Sequence, residues 1–252
     1  MLPSWEVKMH RPERSAPTSG CGSVRTVAIF FLAVLAGCAA PAMRQAPQLQ
    51  RDPGTTPTIV VMPLDVELSQ LTAGGMQEPQ AEWTEAAHRH MHGALEEEAK
   101  ARRVKLIAFD AERGTPEDRD LAVELVALHR AVGSAVLVHQ YLGAPLPSKG
   151  GKFDWSLGPK AGAISRSQQA DYALFLFVRD SYATAGRVAM IAVAALLGVG
   201  VPGGSQIGYA SVVKLETGDI VWFNWLNRPS GDLRTPQAAA ETVKSLVSDA
   251  MK

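Results

Sequence analysis

His88, His90 and His92 alternate along one stretch of the chain. His88 and His92 are four residues apart, the spacing at which one helix face can grip a divalent metal, and Glu85 and Glu96 lie a turn to either side. His90 falls on another face, and no H-E-x-x-H pattern is present. The stretch therefore reads as a solvated polar face, with His88 and His92 as the weak metal candidates. Gly198-Val-Gly200-Val-Pro-Gly203 matches the dinucleotide fingerprint G-x-G-x-x-G. That chemistry requires the glycines to open a helix whose N-terminus receives the pyrophosphate. Here Pro202, Gly203 and Gly204 lead into a predicted strand, so the run reads as an exit from an apolar segment. No G-x-S-x-G elbow, P-loop or Ser/His/Asp pattern is evident. No catalytic residue is assigned and the chain reads as non-enzymatic, without a small-molecule substrate or dissociable cofactor.

Cys38 carries a different chemistry. Leu35-Ala36-Gly37-Cys38 closes an apolar stretch and resembles a bacterial lipobox, in which the chain is cut between Gly37 and Cys38 and the cysteine is acylated. Arg25 supplies the basic flank, residues 27–36 the apolar core, and Ala36 and Gly37 the small residues at the cut. That core is too short for an ordinary span of ~20 residues. Residues 1–37 read as a signal peptide, with 1–24 an unusually long polar start, and the covalent lipid on Cys38 as the membrane anchor. Ala39 follows the cysteine where an inner-membrane lipoprotein would carry Asp; by what is known of bacterial lipoproteins, this implies the outer membrane, facing the periplasm.

Cleavage would remove Cys21 and acylation would consume Cys38, the two cysteines of the sequence. The mature chain, 252 − 37 = 215 residues, would hold no thiol, disulfide or Cys-ligated metal. Without Lys8, Arg11, Arg14, Arg25, Glu6 and Glu13 it keeps 25 − 4 = 21 basic and 25 − 2 = 23 acidic residues. That balance argues against nucleic acid.

Residues 38–57 are rich in Pro, Gln and Ala and read as a tether. Residues 58–252 read as one domain. The β-branched run 59–62 predicts a strand ending at Pro63. Residues 82–103 predict a helix from Trp83, Ala87, Met91 and Leu95 at four-residue spacing, with Glu85–Arg89, Glu96–Lys100 and Glu98–Arg102 pairs. A strand follows at 104–109. Thr115-Pro116 starts a second helix; Gly133 is expected to end it, and 135–141 to form a strand. A surface excursion at 142–162 leads to a short helix at 161–169. Residues 171–182 are the clearest strand, 205–215 and 219–226 a hairpin, and Thr235-Pro236 the start of the last helix. The expected fold is α/β (α+β): a mixed sheet of about five strands packed with three or four helices.

Three segments, TIVVMPLDVEL at 58–68, QADYALFLFVRDSY at 169–182 and GYASVVKLETGDIVWFN at 208–224, resemble strands of periplasmic α/β lipoproteins related to the curli secretion channel subunit. The N-terminal domain of the Tol translocation protein shares that fold. The resemblance implies a domain working in envelope assembly or export; some relatives form rings and others are monomers.

Contact residues are expected in an apolar insertion at 186–204, where no charge occurs from Val188 to Val213. Its core is short for a membrane span and lacks the alternation of a pore hairpin. A buried helix or oligomer contact, a membrane-touching segment and a span or pore element stay open for it. Val188, Ile191, Leu196 and Leu197 are its candidate contacts. Trp222 and Trp225 are candidate partner anchors; in a strand Phe223 and Trp225 share one face and Trp222 takes the other. Asp171, Arg179 and Asp180 fit strand-end charges, a buried network or a partner contact. The expected partners are the membrane, through the lipid, and an envelope protein or a second copy of the chain.

Overall fold

The computed structural model describes residues 57–229 and 231–250. Strand β5 (Tyr172–Ala183), apolar from Tyr172 to Val178, runs through the middle of a seven-stranded mixed sheet. One of its edges pairs antiparallel with β6 (Gly204–Lys214), which pairs antiparallel with β7 (Asp219–Arg228). The other edge is shared by two shorter parallel strands laid end to end. β1 (Thr58–Val61) lies along its first residues and β2 (Asp65–Leu71) along its last. β4 (Lys105–Ala108) flanks β1 in parallel, and β3 (Gln77–Pro79) flanks β2 antiparallel.

The joint between β1 and β2 sets the register. Val61 pairs with Leu174 and Asp65 with Phe177, so three residues, 62–64, stand opposite two, Phe175 and Leu176. Pro63, which has no N–H to give a ladder, occupies the joint. Side chains alternate along a strand, so one extra residue exchanges the faces. Ile59 and Val61 share a core with Leu64, Val66 and Leu68, while Asp65 turns to the opposite face.

Each face is covered by helices. On one, α1 (Ala81–Arg102) and α5 (Pro236–Val247) press Met91, Leu95, Val243 and Leu246 onto Leu174, Leu176 and Trp222. On the other, α2 (Pro116–Val136) and α3 (Gly162–Gln168) press Leu125, Val136 and Ile164 onto Phe175, Tyr209 and Phe223. The architecture is three layers, α/β/α, around two apolar cores. The remaining helix, α4 (Ala185–Leu196), joins neither layer.

Local chemistry accounts for the helix ends. Thr115 caps α2 and forms a reciprocal capping box with Asp118, with Pro116 at the first position. Thr235 caps α5 through Ala238 N–H. On α1, Glu85–Arg89 and Glu98–Arg102 pair as expected, whereas Lys100 takes Glu97 instead of Glu96.

Two expectations need correction. Gly133 does not end α2, and 135–141 is not a strand: the helix runs to Val136 and continues as a π-helical turn, Leu137–Tyr141. Gly133 instead makes room for Tyr209; a Cβ there would stand 2.3 Å from the Tyr209 ring. The strand preference of Val136 and Val138 is overridden by packing, with Tyr141 stacked on Phe223 and close to Trp225. The sheet is also larger than five strands, because β2 and β3 form a hairpin beyond the Pro63 joint. The segment Pro116–Tyr141 is long and apolar enough to cross a membrane by length and composition. In this fold its buried stripe, Ala122, Leu125, His129, Gly133 and Val136, lies on the sheet.

Gly133→Ala is expected to lower unfolding stability by about 2 kcal/mol through overpacking against Tyr209, read as a lower urea midpoint with unchanged slope. A midpoint equal to the parent's would show that this close approach is not needed.

Candidate functional site

One end of the sheet departs from the rules that built the rest. β5 and β2 finish there, β6 begins there, and α4 fills the connection from Thr184 to Gly204. Thr184 caps α4, its hydroxyl accepting from Arg187 N–H at 3.1 Å. Arg187 is the one buried residue of α4. Its Nε donates to the Pro202 carbonyl at 2.9 Å and its Nη1 to the Thr72 carbonyl at 3.3 Å. This one side chain ties the helix base to the turn after β2 and to the return into β6. The turn closes on itself, with Thr72 N–H donating to the Met76 carbonyl and Met76 N–H to the Thr72 hydroxyl. The return is tight: at Gly204 a Cβ would lie 2.2 Å from the Ser181 carbonyl oxygen.

A surface helix of a soluble domain normally buries an apolar stripe and exposes charge. α4 does the reverse. Its single charge points inward onto carbonyls, while Val188 (56% exposed), Val193 (58%), Leu196 (87%) and neighbouring Leu197 (76%) face outward. Met76, on the adjoining turn, is 66% exposed. Two uncharged stretches meet here, residues 68–77 and 188–213. These exposed apolar side chains make this end of the sheet the candidate contact surface of the domain.

The expected contact residues thus divide. Val188, Leu196 and Leu197 are all exposed, along α4 and at its C-terminal cap. Ile191 is half-buried and its Cδ1 approaches Gly203. Trp222 is corrected: at 2% exposure it is a core residue and offers nothing to a partner. A bulge places Val221 and Trp222 in the same core, since Val212 pairs with Trp222 and Val213 with Ile220. Trp225 lies on the opposite face with Phe223, half-buried beside Tyr141. Gly198–Gly203 follows a helix and leads into a strand, so it offers no helix N-terminus to a phosphate. Gly37 and Cys38 lie outside the described residues.

His88 is partly desolvated and depressed in pKa, first by burial and then by the neighbouring His92. His90 points to the Leu233 carbonyl, 3.2 Å away. Among the described residues no group of three His, Cys, Asp or Glu is placed to hold a metal. A shallow cavity of about 180 Å³ is lined by His139, Gln140, Leu146 and Lys149. Lys149 is engaged by Asp154 at 2.9 Å and lies over the Trp155 ring.

The charges of β5 are spent inside the domain. Asp171 accepts from Thr58 N–H at 2.8 Å, fastening the start of β1. Arg179 and Arg130 both reach Asp65 at 2.7 Å, joining β5 and α2 through a carboxylate that sequence reasoning did not single out. Asp180 accepts from Tyr182 O–H, Gln206 Nε2 and Leu233 N–H, all on one oxygen, and its other oxygen has no partner. Burial holds its carboxyl above the ordinary range despite these donors. Burial, and then the bond to Asp180, push the Tyr182 hydroxyl up. His129 was likewise not anticipated. It is fully enclosed, bonded to Ser211 Oγ at 2.9 Å and stacked on Phe175, and burial pushes its pKa down to about 3. Only its place on the buried stripe of α2 marks it in the sequence. None of these groups opens onto the cavity, so they act as structural polar links.

No protein-family model and no curated protein matches the chain. Among solved structures it is similar to the PelC dodecamer from Paraburkholderia phytofirmans, at 15% identity over 82% of this chain and 93% of that one, TM-score 0.37. It is also similar to the LpoB C-terminal domain from Salmonella enterica (16% identity, 70% and 86% covered, TM-score 0.26). A third is lipoprotein GNA1162 from Neisseria meningitidis (11%, 77% and 95%, TM-score 0.29).

Two pH effects follow. His129 is neutral in the fold and protonates more readily when unfolded, with an ordinary pKa of about 6.5. Its contribution is complete above that value and is lost as pH falls toward about 3. His129→Gln should flatten this acid limb of a stability–pH curve; an unchanged limb would remove His129 as its source. Asp180 has the opposite sign. Its raised carboxyl favours the fold while protonated, and that contribution is lost as pH rises above the ordinary carboxylate value of about 4. The melting temperature of Asp180→Asn should therefore gain on the parent's between pH 4 and pH 8. A constant difference would contradict burial as the dominant influence on Asp180.

Proposed function

We propose that the chain is a lipid-anchored, non-enzymatic envelope protein that acts as an assembly, scaffold or secretion accessory, held by a lipid on Cys38 and facing the periplasm from the outer membrane. The observation that carries this reading is the apolar end of the sheet, where α4 buries its one charge and exposes Val188, Val193 and Leu196, with Leu197 beside them. A domain that keeps its other long helices on the sheet and leaves this one uncovered is built for contact rather than turnover. The lipobox-like run Leu35–Cys38 supports the anchor, and Ala39 the outer membrane. An alternative is a ring-forming export channel subunit. What favours it is the resemblance of 58–68, 169–182 and 208–224 to curli-type lipoproteins.

Metabolic labelling with radioactive palmitate should mark the parent chain and not Cys38→Ser. Light scattering of the labelled protein in mild detergent should then give a monomer or small assembly. Absence of label would overturn the anchor, and a defined many-membered ring would replace the accessory reading by the channel reading.

A further inference from the structure

We infer that the exposed face of α4, extended by Met76 and Leu197, docks on the surface of a lipid bilayer; the inference rests on the anchored reading above and names what its contact surface meets. Three observations favour a bilayer over a second protein chain. The first is size. A twelve-residue helix is about 18 Å long and about 10 Å wide. Two such faces pressed together fall well short of the about 1,200 Å² that a stable protein contact needs. A bilayer sets no such minimum, since an apolar helix face sinks into the headgroup boundary residue by residue.

The second is reach. Thr58 sits beside the start of β5, and α4 leaves from its far end, about 36 Å away along the strand. Residues 39–57 between Cys38 and the domain can extend to roughly 65 Å. An anchored chain can therefore bring α4 to the membrane that holds Cys38. Tethering keeps the helix at high local concentration there, so a weak apolar contact suffices.

The third is the charge pattern. Interfacial helices commonly add a basic face that attracts anionic lipid. Here Arg187 is turned onto the Thr72 and Pro202 carbonyls, and residues 68–77 and 188–213 are uncharged. The contact is thus apolar, indifferent to salt and to anionic lipid.

The test uses the full lipidated protein carrying Leu196→Trp, reconstituted into phosphatidylcholine vesicles with brominated acyl chains. Fluorescence quenching beyond that of the parent should be roughly twofold, and unchanged between about 0.1 and 1 M salt, where screening would abolish an electrostatic contact. Adding Leu197→Asp to the same chain should abolish the extra quenching while leaving the thermal midpoint unchanged, because Leu197 is exposed. No extra quenching overturns the inference: crosslinking between copies through α4 would then assign the face to a second chain, and its absence to another protein. Quenching that needs anionic lipid or disappears in salt also overturns it, as does quenching that survives Leu197→Asp. If Cys38 proves unlabelled, the anchored reading fails on its own. Quenching with the full chain carrying Cys21→Ser, coupled through the Cys38 thiol to a maleimide-bearing lipid in the same vesicles, then still decides the helix.

Discussion

Three residues of the chain, 62–64, stand opposite two of β5, and the rest of the sheet depends on that mismatch. It lets one long strand accept two short parallel partners in series. It also changes which face each side chain of the second partner meets. Without the extra residue Leu64, Val66 and Leu68 would be directed at α2, and Asp65 would be directed into the apolar core under α1 and α5. With it, the carboxylate meets Arg130 from α2 and Arg179 from β5. A buried carboxylate is tolerated only when its charge is matched and its oxygens are bonded. The bulge at Val221 repeats the device at the other side of the sheet, bringing Trp222 in beside Val221.

Much of this was legible before the structure. α1 declared itself by four-residue spacing and ion pairs, α2 and α5 by Thr-Pro starts, and β5 by its apolar length. These signals are local: a cap, a period, a run. What was not legible depends on partners distant in sequence. Gly133 reads as a helix stop until Tyr209, 76 positions later, is seen to occupy the space of its missing Cβ. Asp65 carries no local signal of its own; the joint at Pro63 decides that it meets Arg130 and Arg179. Trp222 and Trp225 were rightly assigned to opposite faces, but period two alone does not say that both faces are covered by helices. The exposed state of α4 was also beyond the sequence, because an apolar run looks the same whether a protein layer covers it or not.

Polar groups and apolar groups exchange their usual places in this domain, at different sites and with different consequences. Inside, His129 with Ser211 and Asp180 with Tyr182 and Gln206 cross-link elements through directional bonds. These links give orientation at the cost of sensitivity to protonation. At the end of the sheet, α4 leaves apolar area in water, forgoing the stabilisation that burial would supply. Arg187 ties the base of that helix to the Thr72 and Pro202 carbonyls.

Tyr182 and Gly204 are paired neighbours in the β5–β6 ladder, yet 21 residues, 183–203, separate them in the chain. The two strands meet at the base of the excursion, and the loop-closure entropy of that meeting grows only as the logarithm of what is looped out. The sheet is thus nearly indifferent to what the excursion contains. Its sequence is free to drift in length and hydrophobicity between lineages while the three layers stay fixed. Variation among descendants of this fold should therefore gather between those two residues, where a change of target requires no change of scaffold.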